Sequence, residues 1–185
     1  LAAKNPSSQR EDPWIVAMAL FAPGYIGGWS ACEHWGLTEQ IFADLVVFTT
    51  RKVRTRQERV QDTSFMLRVI PQDRMWGTVP VWHNQTKVLV SDPSRTLADI
   101  LDEPGIGGGM RQIAEILENY FTSEHREDAR LLDFISCLGN RTICKRLGFL
   151  AETLGIEAPQ IVAYCQSHLS AGYSKLDPSV TVRGR

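Results

Sequence analysis

The chain has 185 residues, 43% of them hydrophobic and 22% charged, with 14 glycines and 9 prolines. This composition excludes a disordered, collagenous or repeat chain and predicts a soluble globular protein, one generous domain or two small ones, able to bury about 70% of its unfolded surface. Lys and Arg number 20 against 21 Asp and Glu, a net charge of −1, so there is no global basic excess of the nucleic-acid-coat or membrane-surface kind and any nucleic-acid contact needs a local patch.

Residues 1–11 are polar and turn-forming and read as a linker; the sequence starts at Leu1, not at a methionine, as a processed chain or a fragment would. Asp12-Pro13 gives a capping residue followed by a first-turn proline, with Trp14, Ile15, Met18 and Phe21 as the apolar face of a helix that Pro23-Gly24 ends. Ser30 and Glu33 have capping-box spacing, which predicts a short second helix closed by a left-handed Gly36. Leu45–Thr50 and Phe65–Ile70 are β-branched and aromatic runs, and further strands are expected at Thr78–Trp82 and Val88–Val90, with Pro80 placing the former at a sheet edge.

Helices fill the rest. Asp92-Pro93 repeats the cap-plus-proline start, and Ile113, Ile116, Leu117, Tyr120 and Phe121 form a buried stripe. Leu131, Ile135 and Leu138 make the next, Ile143, Leu147, Leu150 and Leu154 another that Gly155 stops, and Pro159 opens a last helix through Ile161, Val162, Cys165 and Leu169. The expected fold is α+β: an N-terminal helical pair, a small, mostly antiparallel sheet over residues 43–91, and a helical half over 92–170. Together these make one domain over 12–175 with a C-terminal tail over 176–185.

Several patterns bear on chemistry. Asp99, Asp102 and Glu103 fall at i, i+3 and i+4, a spacing that would present carboxylates to a divalent cation, or simply a solvated helix end. Gly105–Gly109 follows a helix and lacks a following lysine, so it reads as a flexible interhelical turn and not as a phosphate loop. Cys32 with His34, and Cys165 with His168, supply too few ligands for zinc; no metal and no cofactor are expected. Trp14, Trp29 and Trp35 read as core and not as base-stacking platforms. The four widely spaced cysteines and the lack of a leader or spanning segment point to a reducing cytoplasm with no membrane contact. Arg51, Lys52, Arg54, Arg56 and Arg59 place five cations in nine positions between two strands, a loop suited to DNA or RNA phosphates or, alternatively, to a partner protein or bulk solvent.

Four segments, Tyr25–Gln40 (YIGGWSACEHWGLTEQ), Asp92–Asp99 (DPSRTLAD), Lys145–Leu150 (KRLGFL) and Leu176–Pro178 (LDP), resemble in order the signature blocks of the abortive-infection AbiEi antitoxin family. The resemblance implies a bacterial antitoxin and transcriptional regulator of a type IV toxin–antitoxin system used in phage defence. Its functional partner would be a nucleotidyltransferase-like toxin, with which it need not form a stable complex. Members typically carry an N-terminal winged-helix DNA-binding domain; nothing before Asp12 here could form one, so the chain reads as the antitoxin domain alone. The resemblance carries over no catalytic group, and the chain is expected not to be an enzyme. The competing readings are a nucleic-acid-binding domain working through residues 51–59, and a metal enzyme using Asp99, Asp102 and Glu103.

Overall fold

A computed structural model of the chain describes residues 11–60 and 62–178. The expected linker, apart from Glu11, and residues 179–185 of the expected tail lie outside the described residues. The fold is α+β, with a six-stranded, mostly antiparallel sheet in the first half and helices on both sides of it in sequence. In chain order the elements are α1 (Pro13–Phe21), β1 (Gly24–Ile26), α2 (Gly28–His34), β2 (Asp44–Thr49), β3 (Gln57–Val60), β4 (Thr63–Val69), β5 (Thr78–His83) and β6 (Thr86–Ser91). They are followed by α3 (Pro93–Asp102), α4 (Met110–Thr122), α5 (Asp128–Leu138), α6 (Arg141–Thr153) and α7 (Pro159–Ser167).

The sheet runs β3-β4-β2-β1-β6-β5, with β1/β6 and β2/β4 parallel and the other pairs antiparallel. Period-two alternation divides its side chains between two cores. Leu45, Val47, Phe65, Leu67, Val88 and Val90 pack with Ala17 and Phe21 of α1 on one face. Tyr25, Val46 and Phe48 pack on the other with α2 and the helical half. Pro80 lies on the edge strand β5, where its missing N–H costs no ladder bond. Among the described residues no helix is long and apolar enough to cross a membrane.

The helix starts at Asp12 and Asp92 form as the sequence indicates, each carboxylate accepting from the backbone N–H two residues on, at 2.8 and 2.9 Å. The apolar stripes of α4 and α5 are buried throughout. Four expectations need correction. Ser30 and Glu33 form no capping box: the helix begins earlier, at Gly28, and the Ser30 hydroxyl instead accepts from the Val46 N–H at 3.0 Å, tying α2 to β2. The early start depends on Gly28, whose φ of +56° and whose 2.6 Å separation, at the Cβ position, from the Ile106 carbonyl oxygen exclude any side chain. The sheet also reaches outside 43–91 through β1, a strand too short to show alternation. Residues 104–107 form an ordered 3-10 turn with Pro104, Ile106 and Gly107 buried, in place of a flexible linker. Residues 176–178 are a docked strap and not a tail, because Asp177 Oδ2 accepts from the Met110 N–H at the start of α4 at 3.1 Å.

Candidate functional site

The basic segment owes its position to sheet topology. β4 lies beside β2 and parallel to it, while β3 pairs on the outer side of β4. The chain leaving Thr49 must therefore cross the end of β4 before β3 can begin, a span of two strand spacings, roughly 10 Å. Residues 50–56 make that crossing, pinned by Arg51 N–H to Thr49 Oγ1 at 3.0 Å and by Leu67 N–H to the Arg56 carbonyl at 2.8 Å. The last part of the segment, expected as loop, is the edge strand β3; its polar side chains gave no apolar alternation to mark it.

Arg51, Lys52, Arg54, Arg56 and Arg59 are all exposed. The Arg51 guanidinium donates to the Leu20 carbonyl in the last turn of α1, where unpaired carbonyls and the negative end of the helix dipole favour a cation. Arg51, Lys52 and Arg54 line a cleft of about 350 Å³ together with Leu20, Phe21 and Glu58. Arg56 leads into β3, and Arg59 sits on it opposite Ser64. Among the described residues, Lys52, Arg54, Arg56 and Arg59 are in no ion pair, in contrast to Arg68, Arg95, Arg126 and Arg130.

The three carboxylates Asp99, Asp102 and Glu103 do not converge. Glu103 has left the helix, with φ −124° and ψ 87°, and pairs with Arg68 at 2.7 Å; Asp102 accepts from Asn140 Nδ2 at 2.6 Å. Asp99 is buried, accepting from Arg95 Nε at 2.8 Å and from the Tyr25 hydroxyl at 3.3 Å. Arg95 is itself 1% exposed; it donates further to Tyr25 Oη at 3.2 Å and to the Trp76 carbonyl, and its guanidinium lies 3.7 Å from the Trp76 ring centroid. Burial pushes the Asp99 carboxyl up to about 6 in spite of Arg95 beside it, and burial followed by the Asp99 charge raises the Tyr25 hydroxyl. No group of three His, Cys, Asp or Glu among the described residues could hold a metal ion.

This network is part of a larger convergence on α3. Trp35 Nε1 donates to the Ser91 carbonyl at 2.8 Å just ahead of the helix. At the other end Arg146, 5% exposed, donates to the Leu101 and Asp102 carbonyls at 2.7 and 2.8 Å, and to the Leu176 carbonyl at 3.0 Å. The four resembling segments are thus joined through α3, its flanking residues and the adjacent start of α4. The burial of Arg95 and Arg146 is not legible in the sequence, although the i, i+4 spacing of Arg95 and Asp99 holds the signal for one of them. Trp29 is buried and stacks on Phe42, while Trp14 and Trp35 are only half-buried.

No protein-family model and no curated protein matches the chain. Among solved structures, the Rv2827c protein from Mycobacterium tuberculosis is similar over 89% of this chain, with a TM-score of 0.55 and 17% identity. At that identity the likeness is one of fold, and this chain spans 59% of the length of that protein.

Proposed function

We propose that this chain is the antitoxin domain of a type IV toxin–antitoxin system, acting in the cytoplasm against a nucleotidyltransferase-like toxin without catalysis of its own. In transcriptional autoregulation it works with a winged-helix domain outside these 185 residues. What supports the reading is the junction at α3: of the four segments that resemble the antitoxin family, far apart in sequence, Tyr25–Asp99 and Arg146–Leu176 contacts join two pairs directly, while Trp35–Ser91 and Arg146–Leu101 contacts tie them to the residues flanking Asp92–Asp99. Segments that recur together in a family because they hold one fold in place are expected to converge in this way, as the buried Arg95, Asp99 and Arg146 do here. The test is co-expression of this chain with the nucleotidyltransferase-like toxin encoded next to it. Growth is expected to recover with this domain alone; recovery only when an N-terminal DNA-binding domain is added would assign the activity to repression.

A second reading rests on a separate observation. Four exposed cations with no carboxylate partner among the described residues lie along one loop and edge strand, an arrangement suited to the spaced negative charges of a nucleic-acid backbone. In this reading Lys52, Arg54, Arg56 and Arg59 bind phosphate, and Arg51 holds the loop to α1.

A further inference from the structure

Cys144 on α6 and Cys165 on α7 take no part in the α3 junction or the basic loop. The two helices are joined by residues 154–158 and pack side by side. Gly148, one turn beyond Cys144, allows their close approach, since a Cβ there would lie 3.3 Å from the Cys165 Cβ. The two thiols are neighbours, each acting on the other's proton. Both side chains are nearly covered, yet both line a surface cavity of about 440 Å³, walled also by Lys145, Phe149 and Tyr173. Cys144 faces a second, smaller cleft of about 120 Å³ with Tyr164 and His168. A thiol that meets open space on two sides and a second thiol on a third has both an entry path and a partner.

The surroundings also favour negative charge on the Cys144 sulfur. The neighbouring Cys165 thiol, then His168 and Arg141, outweigh burial and hold the Cys144 thiol below its usual range, while the neighbouring Cys144 and burial push the Cys165 thiol up. Cys32 is the contrast, fully buried, with its thiol pushed up by burial alone.

We propose that Cys144 and Cys165 form a reactive dithiol site that takes low-molecular-weight disulfides as its substrate, with Cys144 as the attacking thiol and Cys165 as the resolving one. The Cys144 thiolate attacks one sulfur of the small disulfide; the S–S bond breaks, a mixed disulfide forms on Cys144, and the first small thiolate leaves and takes up a proton. Cys165 no longer faces a thiolate at that point. It gives up its proton, attacks the Cys144 sulfur and expels the second small thiol. In balance, two protein thiols are oxidised to one disulfide and one small disulfide is reduced to two thiols. The product locks α7 to α6 beneath the strap, whose Gly172 carbonyl and Ser174 hydroxyl are held by Lys145, the neighbour of Cys144.

The experiment incubates the reduced, folded chain with glutathione disulfide near neutral pH and maps the modified peptides by mass spectrometry. A Cys144–Cys165 linkage is expected while Cys32 stays reduced. Cys165→Ser keeps a hydrogen-bond donor beside Cys144 and should stop the reaction at a glutathione adduct on Cys144, formed at least as fast as any on the exposed Cys137. Cys144→Ser should leave Cys165 unmodified. Should either variant fold poorly, the peptide map of the unsubstituted chain is decisive by itself. A linkage that appears only in denaturant, or glutathione found on Cys137 and not on Cys144 in the folded chain, would overturn the proposal.

Discussion

Arg95 and Asp99 show how a charged pair can serve packing. Both are almost wholly out of water, and each has its remaining hydrogen-bonding capacity met by Tyr25, Trp76 or the other partner. Removing one member strands the other, so Asp99→Ala is expected to lower unfolding free energy by about 3–5 kcal/mol in urea titrations. Replacing both together, as Arg95→Met with Asp99→Leu, should recover most of that loss, because an apolar pair of similar volume leaves no buried charge. Asp99 also sets a pH dependence. Its carboxyl stands at about 6 in the folded protein against an ordinary 3.8, so the folded state binds the proton more tightly than the unfolded chain. The contribution of this group to stability is therefore greatest below the ordinary value and declines as pH rises through the window from about 4 to about 6. Asp99→Asn has no proton to release and should lack that decline; parallel stability profiles for the two proteins across the window would show that Asp99 is not its source.

At the scale of elements, the strap over residues 172–178 is held by polar contacts, with its side chains largely exposed. Arg146 fastens it through the Leu176 carbonyl, Lys145 through Gly172, and Asp177 through the first N–H of α4, where a carboxylate also meets the positive end of the helix dipole. Arg146→Met is expected to speed hydrogen exchange at the Met110 amide as the strap lifts, with helix α5 little changed. If exchange at Met110 stays as slow as in the parent chain, Arg146 is not the fastener. Which elements are legible in the sequence follows the same physics. α4 and α5 are, because their apolar residues recur with helical spacing over three turns, and so are Asp12 and Asp92, because capping is local chemistry. β1 and β3 are not: three residues carry no period, and Gln57–Val60 is an edge strand made by pairing with β4 and not by its own composition. The Ser30–Glu33 spacing is real but local, and Gly28 backbone freedom with the Val46 N–H outcompetes it. The cations at 51–59 are visible as a cluster, whereas the role of Arg51 as a clasp on α1 needs the fold, because Leu20 is remote in sequence.

The molecule as a whole is nearly neutral, so its response to salt reports where charge is concentrated and not how much there is. A sheet with α1 on one face and most other helices on the opposite face leaves its ends and edges as open surface, and the β2–β3 crossing and edge strand β3 there carry four cations that form no ion pair among the described residues. Packed within nine residues, with Glu58 the only acid among them, those charges repel one another, and an anionic partner or screening salt relieves the repulsion. If the partner is duplex DNA, each phosphate neutralised should contribute about 0.9 to the slope of log affinity against log salt. Four cations then set an upper limit of roughly 3.6, and binding should be weak and tolerant of sequence, because the loop offers charge without a helix or ribbon for the major groove. Arg54→Ala with Arg56→Ala is expected to flatten the slope by about two units at most and to weaken binding evenly across sequences. Arg51→Ala should behave differently: with its guanidinium engaged by α1, it should lower stability by about 0.5–1 kcal/mol and change the slope least of the five. A salt titration of the three proteins against one duplex decides the matter. Equal slopes for parent and double variant, or no binding by the parent at low salt, would make the segment a solvated crossing that sheet topology required and nothing more.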